Sequence, residues 1–384
     1  FNLVTADGGT TWYGYEEVNN SGGYLFSWGS NTWGGLGLNQ AHGVNASSPT
    51  QIPGTNWSRI ATTHQANYAI IGVKNDGTAW AWGRNGTHMM GLGPAGINNV
   101  NTMLSSPTQI GTDQTWTTNI SANNIQVIAT KTDGTLWSWG SNNGGAGAQN
   151  STSYYSSPRQ VGSDTTWSTA SKRLVASSGA WAIKTDGTMW GWGFNNTGQT
   201  GVNNLTNYSS PIQIPGTTWK QVSSDNYTGK IATKTDGTLW VVGRNTDHGQ
   251  LGQNNLTQYS SPVQVPGTNW DQISGGYYWK IATKTDGTAW AWGSNTHGQL
   301  GQNNKTSYSS PVQIPGTTWS KVESQKSVGM GIKTDGTLWS WGYNAGGSLG
   351  QNDTTYHSSP VQVPGTWSSV FPALDTAFGL KNPK

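Results

Sequence analysis

A short pattern that recurs along this chain constrains its fold more than any other feature. In its clearest copies, residues 131–140 and 284–293, a Lys precedes an Asp-Gly pair and a Thr-aliphatic-Trp-x-Trp-Gly segment follows. The Gly that ends the pattern recurs seven times, at Gly29, Gly83, Gly140, Gly193, Gly243, Gly293 and Gly342. A spacing of 49 to 57 residues is the mark of a repeat architecture. Units of this size cannot each bury a core, so they must pack on one another.

Each unit is predicted to contain four short β-strands. In the most regular copy one strand ends at Lys284, an Asp-Gly turn follows, and residues 288–293 form the return strand. Asp-Gly between two β-rich runs is the strongest short-range hairpin signal, because Gly accepts a positive φ without a Cβ clash. Residues 309–316 then form a short strand whose prolines suit an edge position, and Trp319 begins the strand that leads to the next hairpin.

The two ends of the chain are predicted to complete one unit between them. The C-terminal part reaches Lys381 without the Asp-Gly turn that should follow, and residues 22–29 supply the missing half. We therefore predict an all-β fold, a closed seven-bladed β-propeller with four-stranded blades, one of which is completed by both chain termini. Closure removes the exposed edges of an open stack. Residues 1–21 are expected to be an N-terminal entry segment or linker, and residues 22–384 to be the propeller.

Composition argues against several classes of function. Charged residues make up 10% of the chain and the net charge is +3, with the basic residues dispersed, whereas nucleic-acid binding usually needs a concentrated basic face. The absence of Cys rules out disulfides and thiolate metal sites, and no apolar run is long enough for a transmembrane helix. A polar, nearly neutral surface rich in Asn, Thr, Ser, Gln and Gly is more typical of secreted or particle-surface proteins. The chain begins at Phe1 rather than Met, which leaves open a leader or a preceding domain.

The repeated motif resembles that of a known family. Asp-Gly-Thr-aliphatic-Trp-x-Trp-Gly-x-Asn-x-x-Gly-Gln-Leu-Gly, followed by Ser-Pro-Val-Gln, is similar to the regulator of chromosome condensation repeat, and the resemblance covers roughly residues 22–384. It implies a seven-bladed propeller, in agreement with the count of units. The family includes an exchange factor for a small GTPase, a β-lactamase inhibitor, and binding domains of secreted and bacteriophage proteins. The exchange factor works through a wedge inserted in one blade, and no insertion of that kind interrupts these repeats.

Two repeated sets of side chains have a structural and a functional interpretation. The paired Trp residues at positions i and i+2 point to the same face of their strand, and we favour a role in the core over a sugar-stacking surface. The Lys residues that precede each turn are expected to face the turn Asp residues. We favour local support of the hairpin by such pairs, each contributing roughly 0–1 kcal/mol when exposed, over an anion-binding or docking rim.

The rim loops carry the candidate binding residues. Four Tyr residues each precede Ser-Ser-Pro after an Asn-rich stretch, and repeated Tyr and amide side chains suit protein or sugar recognition; they are Tyr155, Tyr208, Tyr259 and Tyr308. The alternative, which we favour, is that each Tyr anchors its own loop. Met89 and Met90 lie where the loop around residues 84–104 departs from the pattern, and they are the best candidates for a specialised contact, although simple repeat drift is the stronger interpretation.

Nothing in the sequence indicates catalysis. Paired carboxylates of a glycosidase would converge from different strands, and the one adjacent pair, Glu16-Glu17, lies in the unmatched N-terminal stretch. The six His residues show no metal-ligand spacing, and no nucleophile elbow or phosphate-cradling Gly motif is present. We expect no enzyme activity, no cofactor and no metal.

The sequence therefore predicts a non-catalytic binding or structural propeller on a particle or cell surface. The first expectation is a bacteriophage virion protein for attachment or decoration, located extracellularly or on the virion surface. The alternatives are an exchange or scaffold factor for a small GTPase and a carbohydrate-binding lectin. The expected partner is a protein or a surface glycan, bound through the rim loops and possible within a larger assembly, without nucleic acid or membrane insertion.

Overall fold

The computed structural model describes residues 2–5, 12–15, 23–63, 69–93, 102–123, 125–225, 229–373 and 375–382. The first ten strands are β1 (Asn2–Thr5), β2 (Trp12–Tyr15), β3 (Tyr24–Gly29), β4 (Ala46–Gln51), β5 (Trp57–Thr62), β6 (Ala69–Lys74), β7 (Ala79–Arg84), β8 (Met103–Gln109), β9 (Trp116–Ala122) and β10 (Gln126–Lys131). The next ten are β11 (Leu136–Gly140), β12 (Tyr155–Gln160), β13 (Leu174–Val175), β14 (Gly179–Ile183), β15 (Met189–Gly193), β16 (Tyr208–Ile214), β17 (Trp219–Ser224), β18 (Gly229–Lys234), β19 (Leu239–Gly243) and β20 (Tyr259–Val265). The last ten are β21 (Trp270–Gly276), β22 (Trp279–Lys284), β23 (Ala289–Gly293), β24 (Tyr308–Gln313), β25 (Trp319–Gln325), β26 (Val328–Lys333), β27 (Thr337–Gly342), β28 (His357–Thr366), β29 (Ser369–Pro372) and β30 (Thr376–Lys381). A 3-10 helix lies at Asn143–Gly145, and no helix in the described ranges is long and apolar enough to cross a membrane.

The strands form seven four-stranded antiparallel sheets, which confirms the predicted propeller. Blade 1 has the order β29-β30-β3-β4, and blades 2 to 7 take four consecutive strands each, from β5–β8 to β25–β28. In blade 1 the strand from the C-terminal part pairs with the strand from the N-terminal part, from Tyr24↔Lys381 to Gly29↔Thr376. Both chain ends therefore complete one blade, as predicted. Strands β1 and β2 pair with each other in a separate two-stranded sheet, and the boundary after residue 21 stays a prediction.

The Asp-Gly turns have the conformation that their sequence predicts. In blade 3 the Gly134 N–H donates to the Lys131 carbonyl at 3.0 Å, and the Lys131 N–H donates to the Thr135 carbonyl at 3.1 Å. Gly134 has a φ of +77°, in the left-handed region that favours Gly. Asp133 accepts hydrogen bonds from the Thr135 backbone N–H and hydroxyl. Asp and Gly therefore stabilise the turn in different ways, one by hydrogen bonds and the other by its backbone conformation.

The hydrophobic core lies between blades, and the second Trp of each pair joins neighbouring blades. Trp139 of blade 3 is 2% exposed, and its indole N–H donates to the Met89 carbonyl of blade 2 at 2.7 Å. Trp28 of blade 1 makes the equivalent bond to the Ser348 carbonyl of blade 7 at 2.8 Å, across the closure of the ring. Gly91 follows the accepting loop, and a Cβ there would lie 2.9 Å from the Trp139 indole nitrogen. The Trp-Gly pattern and the Gly-rich loop are thus two halves of one contact between blades.

Blade 4 departs from the predicted repeat. Trp167 forms an isolated bridge with Lys184, but the strand expected to begin there starts only at Leu174. Extra residues intervene, and Lys172 among them has a positive φ of 63°. This longer segment lies against the neighbouring blade, where the Lys172 carbonyl accepts from the Val222 N–H at 2.9 Å. The first strand of this blade therefore begins later than the sequence pattern predicts.

The two faces of the propeller carry different segments. The face that we call the turn face carries the Asp-Gly turns and the connections between blades. The opposite face, the loop face, carries the segments between the first and second strands and the longer segments between the third and fourth strands, such as residues 244–258. Alternating strand direction places these segments on opposite faces, because each antiparallel strand returns the chain to the other side of the blade.

Candidate protein-binding face

A repeated Asn side chain fixes the path of the longer loops on the loop face. In blade 4 the Asn195 Oδ1 accepts from the Thr200 N–H at 2.9 Å, while its Nδ2 donates to the Asn204 carbonyl at 2.9 Å. The same pair of bonds, to the loop N–H and to a carbonyl further on, recurs in other blades through Asn31, Asn142, Asn245, Asn295 and Asn344. The loop backbone is therefore held from inside by a buried amide.

The residue just before that Asn varies from blade to blade. In four blades it is large or charged, namely Arg84, Phe194, Arg244 and Tyr343, and in the other three it is Ser. The guanidinium of Arg84 lies over the Trp33 ring of blade 1 at 4.6 Å. These side chains are half-buried, so they are supported by neighbours while part of each remains accessible. The loop face thus carries different side chains on equivalent backbone positions.

One aromatic and basic cluster joins blades 5 and 6. Tyr278 lies 5.8 Å from the His248 ring and 5.9 Å beneath the Arg244 guanidinium, measured to ring centroids. Burial, together with a hydrogen bond from Tyr277, raises the pKa of the Tyr278 hydroxyl, so this group stays neutral at physiological pH. Tyr278 also has a positive φ of 62°, a conformation that costs of order 1–3 kcal/mol for a non-Gly residue and is enriched at functional sites.

A second cluster joins blades 6 and 7. The Tyr343 ring lies 5.4 Å from His297 and 4.8 Å from Tyr356, and the Lys326 ammonium lies over the Tyr343 ring at 5.3 Å. The pKa of His297 is lowered by burial and by the charges of Lys326 and Lys305, so the imidazole is neutral at pH 7. Tyr, Arg and other aromatic residues are the types enriched where proteins bind one another.

Exposed apolar side chains concentrate on the same face. Among the described residues, five of the six exposed large hydrophobic side chains lie in loops of the loop face, and these are Val44, Tyr154, Leu205, Leu256 and Tyr356. The sixth, Tyr24, lies at the start of β3 on the turn face. Single exposed apolar residues are common on proteins, but their concentration in one set of loops marks this face as the candidate binding surface.

The four predicted Tyr residues lie where each third-to-fourth-strand loop joins the outer strand. Their hydroxyls are hydrogen-bonded four residues back: Asn204 donates to Tyr208 at 2.8 Å and Asn255 to Tyr259 at 3.1 Å. Asn304 bonds Tyr308 at 3.3 Å, and Ser151 and the Tyr155 hydroxyl are 3.3 Å apart. All four rings are half-buried. These contacts favour the interpretation that each Tyr anchors its own loop.

The predicted Met residues lie inside the molecule. Met89 and Met90 are both 0% exposed and pack in the core shared by blades 2 and 3. They occupy the loop positions that Gln299 and Leu300 occupy in blade 6. Any surface contact of this loop must therefore be made by other side chains, and residues 94–101 lie outside the described ranges.

The Lys residues on the turn face are placed differently from the prediction. Each of the seven ammonium groups lies over two aromatic rings, as Lys131 does over Trp137 at 3.7 Å and over Trp116 at 4.8 Å. The turn Asp residues are instead held by Thr: in Asp133 the pKa is lowered chiefly by the hydrogen bonds from Thr135, with a smaller contribution from the Lys131 charge. The recurrent contact is thus a cation between two aromatic rings, worth about 0.5–1 kcal/mol at exposed sites.

An interior ionic cluster lies between blades 4, 5 and 6. It consists of Asp225, Lys230 and Lys280, all 0% exposed. The Lys280 ammonium lies 3.1 Å from the Asp225 carboxylate, and the Lys230 ammonium donates a hydrogen bond to the Ser177 hydroxyl of blade 4. Burial, with the charge of Lys280 adding to it and that of Asp225 opposing it, lowers the pKa of Lys230 to about 7. The positions equivalent to Lys230 in the other blades, apart from Lys280, are apolar or Gly.

We expect Lys230→Met to remove a pH dependence of stability. Between pH 7 and 10.5 the unfolded chain holds the Lys230 proton and the folded protein does not, so the free energy of unfolding of the wild type rises with pH in this range. The rise relative to Lys230→Met should be on the order of 5 kcal/mol, from 1.36 kcal/mol per pKa unit. Denaturant unfolding of both proteins at several pH values measures it. Parallel curves for the two proteins would contradict the assigned protonation.

No group of three or more His, Asp or Glu residues that could hold a metal ion is found in the part of the chain that the structure describes. The Glu16-Glu17 pair and His64 lie outside the described ranges.

Comparison with known proteins identifies the repeats. The family model for the regulator of chromosome condensation (RCC1) repeat matches residues 22–66, 186–226, 286–324 and 335–378. Human WBSCR16 has a similar structure, with a TM-score of 0.79, 20% sequence identity, and coverage of 94% of this chain and 99% of that protein. Prp20p from Saccharomyces cerevisiae has a TM-score of 0.82, with 15% identity over 97% of this chain and 96% of its own. Yeast RCC1 (Prp20) bound to Kap60 is similar as well, at a TM-score of 0.81 and 14% identity over 95% and 90% of the two chains.

These comparisons contradict two expectations from the sequence. The similar structures are a human protein and a yeast protein, and the yeast protein is described as bound to Kap60 and as binding Gsp1p and histones. The expectation of a bacteriophage attachment or decoration protein is therefore wrong, and so is that of an extracellular or virion-surface location. The glycan partner finds no support either. The recognised resemblance is confirmed: four segments of the chain match the regulator of chromosome condensation repeat, and the chain folds into a seven-bladed propeller.

Proposed function

We propose that this chain is a non-catalytic scaffold that binds a protein partner through its loop face, and that a small GTPase is the partner class to test first. The observation that carries the proposal is the concentration of exposed apolar and aromatic side chains on that face, beside Arg and Lys. In this proposal the four predicted Tyr residues hold the loops in place and do not themselves contact the partner.

The turn face is the weaker candidate because its repeated groups are already engaged. The half-buried Trp rings are covered by Lys ammonium groups, and the turn Asp residues accept hydrogen bonds from Thr. The indole N–H of each of these Trp residues donates to the hydroxyl of the turn Thr in its own blade, as Trp137 does to Thr135 at 2.8 Å. A partner at this face would have to displace contacts that recur in almost every blade.

The choice of a small GTPase rests on the family and on the yeast relative. The family includes an exchange factor for a small GTPase, and the structure of Prp20p is described together with its binding to Gsp1p and histones. The identity of 15% supports only a shared fold. The longer segment of blade 4 packs against the neighbouring blade, and no wedge-like insertion is found in the other described parts of the repeats, so we propose binding without exchange as the first form of this function.

We expect Tyr343→Ala and Tyr356→Ala to weaken binding to a small GTPase by about tenfold each, because Tyr is enriched among the few interface residues whose truncation costs more than about 1 kcal/mol. Biolayer interferometry with the GTPase in its GDP-bound, GTP-analogue-bound and nucleotide-free forms measures this. Tyr24→Ala is the matched control, since it removes an exposed Tyr from the turn face and should leave affinity unchanged.

Two results would contradict parts of the proposal. If Tyr24→Ala weakens binding and the loop-face variants do not, the assignment of the face is wrong. If no small GTPase binds in any nucleotide state, the partner class is wrong. Release of a fluorescent nucleotide from the same GTPase decides separately between scaffold and exchange factor, since a scaffold leaves the release rate unchanged.

A further inference from the structure

The first strand of each blade lines a central channel, and most of the side chains there are small and uncharged. Equivalent positions two residues after the repeated Trp carry Thr118, Gln221, Gln272 and Ser369 in four blades. Two blades differ: the position is Arg59 in blade 2 and Lys321 in blade 7. These two cations flank β29 of blade 1, because Arg59 stacks on Phe371 and Lys321 donates to the Ser368 carbonyl at 2.6 Å.

A third cation lies at the same end of the channel, which we call the mouth, and it comes from the irregular segment of blade 4. The Lys172 side chain reaches across the channel, and its ammonium lies 2.9 Å from the Glu323 carboxylate of blade 7. The other Glu323 oxygen accepts from the Ser274 hydroxyl at 3.2 Å. Glu323 is the one acidic residue among the described residues that line the channel. The three cations Arg59, Lys172 and Lys321 and the single carboxylate of Glu323 leave the mouth with a net excess of two positive charges.

Arg59 is the least satisfied of these groups. Its Nε is buried and has no hydrogen-bond partner among the described residues, and its guanidinium lies over the Phe371 ring at 5.0 Å. Burial lowers the pKa of Arg59, with the charge of Glu323 opposing the shift. A guanidinium offers five N–H donors in a rigid fork, and donors left unpaired in a buried site are costly. Such an arrangement is suited to an oxyanion that accepts these bonds.

Beside these groups lies a cavity of about 340 Å³, lined by Arg59, Lys172, Lys321 and Glu323, by uncharged polar side chains, and by Val370 and Phe371. We propose that this mouth of the channel, on the turn face, binds a phosphate group between Arg59 and Lys321. A phosphate dianion matches the excess of two positive charges, and Arg recognises its oxygens through paired hydrogen bonds. The group is either the free ion or the phosphate of a small monoester. The site is independent of the proposed protein partner, which would bind on the opposite face.

Titration of the full chain with inorganic phosphate at low ionic strength tests this proposal, followed by isothermal calorimetry and by ³¹P NMR line width. We expect binding in the millimolar range or tighter, and a loss of affinity of about tenfold or more in Arg59→Gln and in Lys321→Gln, because charge-assisted hydrogen bonds are lost. Lys305→Gln, which removes an exposed Lys from a loop of the loop face, should bind as the wild type does. Circular dichroism shows that each variant is folded before it is titrated.

A second titration, with glycerol phosphate, separates the two sources of the phosphate group. Tighter binding of the monoester assigns the site to an organic phosphate, and weaker binding assigns it to the free ion; both support the site. If wild-type protein does not bind phosphate at millimolar concentration, the proposal is overturned. It is also overturned if Lys305→Gln weakens binding as much as Arg59→Gln, because the attraction would then be a general effect of charge.

Discussion

Deletion of residues 377–384 is expected to abolish the cooperative thermal unfolding of the propeller. These residues include nearly all of β30. This strand pairs with both β29 and β3, and so joins the strand from the C-terminal part to the two strands from the N-terminal part in blade 1. Phe378 and Leu380 are 0% and 4% exposed, and losing two such side chains costs about 5–10 kcal/mol. That is comparable to the whole free energy of unfolding of a typical protein, roughly 5–15 kcal/mol. Circular dichroism during heating measures the outcome.

A deletion of residues 1–21 is the matched control. The described strands of this segment, β1 and β2, lie outside the seven sheets, so the melting temperature should change little, and this also tests the predicted boundary of the propeller. An unchanged melting temperature after loss of residues 377–384 would show that ring closure is not needed for stability. A large decrease after loss of residues 1–21 would instead show that the N-terminal segment is part of the folded unit.

Asp225→Asn is expected to lower the free energy of unfolding by about 3–5 kcal/mol, because removing one partner of a buried ion pair leaves an uncompensated buried charge. Here the change leaves both Lys280 and Lys230 in the interior without a carboxylate, although Asn retains the size of the side chain. Urea unfolding at pH 7 measures the difference.

The control for this prediction is Lys230→Met, which leaves the pair of Asp225 and Lys280 in place. It should be neutral or stabilising at pH 7, since replacing a buried charge by an apolar side chain of similar length removes its desolvation penalty. A loss of stability in Lys230→Met as large as in Asp225→Asn would show that the cluster acts as a single network and not as one pair with an added cation.

The elements that could be predicted from the sequence are those with a local cause. The Asp-Gly turn is one, because Gly134 supplies the positive φ within the turn itself. The shared terminal blade is another, since the half-unit ending at Lys381 and the half-unit beginning at residue 22 are complementary in the sequence alone. The displaced start of β13 was not predicted, because Trp167 keeps its place in the pattern. The segment from Trp167 to Lys184 is as long as that from Trp57 to Lys74 in blade 2, where the strand does begin at the Trp.

The side-chain contacts that were missed depend on which residues lie opposite one another. Trp57 pairs directly with Lys74 across two strands, and aligning the two strands of each hairpin in this register would have placed Lys beside Trp instead of beside the turn Asp. Met89 and Met90 seemed irregular, but they occupy the Gln-Leu positions of the regular loop. The loop-face cluster around Tyr343 could have been found by asking which positions vary within otherwise constant loops. The position of Lys172 in the channel could not have been found in this way, because the sequence does not indicate which way an inserted segment runs.

The buried Asn of each loop separates two properties that are coupled in most binding loops. Its hydrogen bonds determine the course of the backbone, while the residue before it determines what the surface presents. Substitutions at Ser30, Arg84, Ser141, Phe194, Arg244, Ser294 and Tyr343 should therefore alter recognition without a new loop conformation. A propeller of this kind therefore offers seven equivalent surface positions that can be substituted while the backbone of the loops stays the same. A library of variants at those positions could give it new binding specificities.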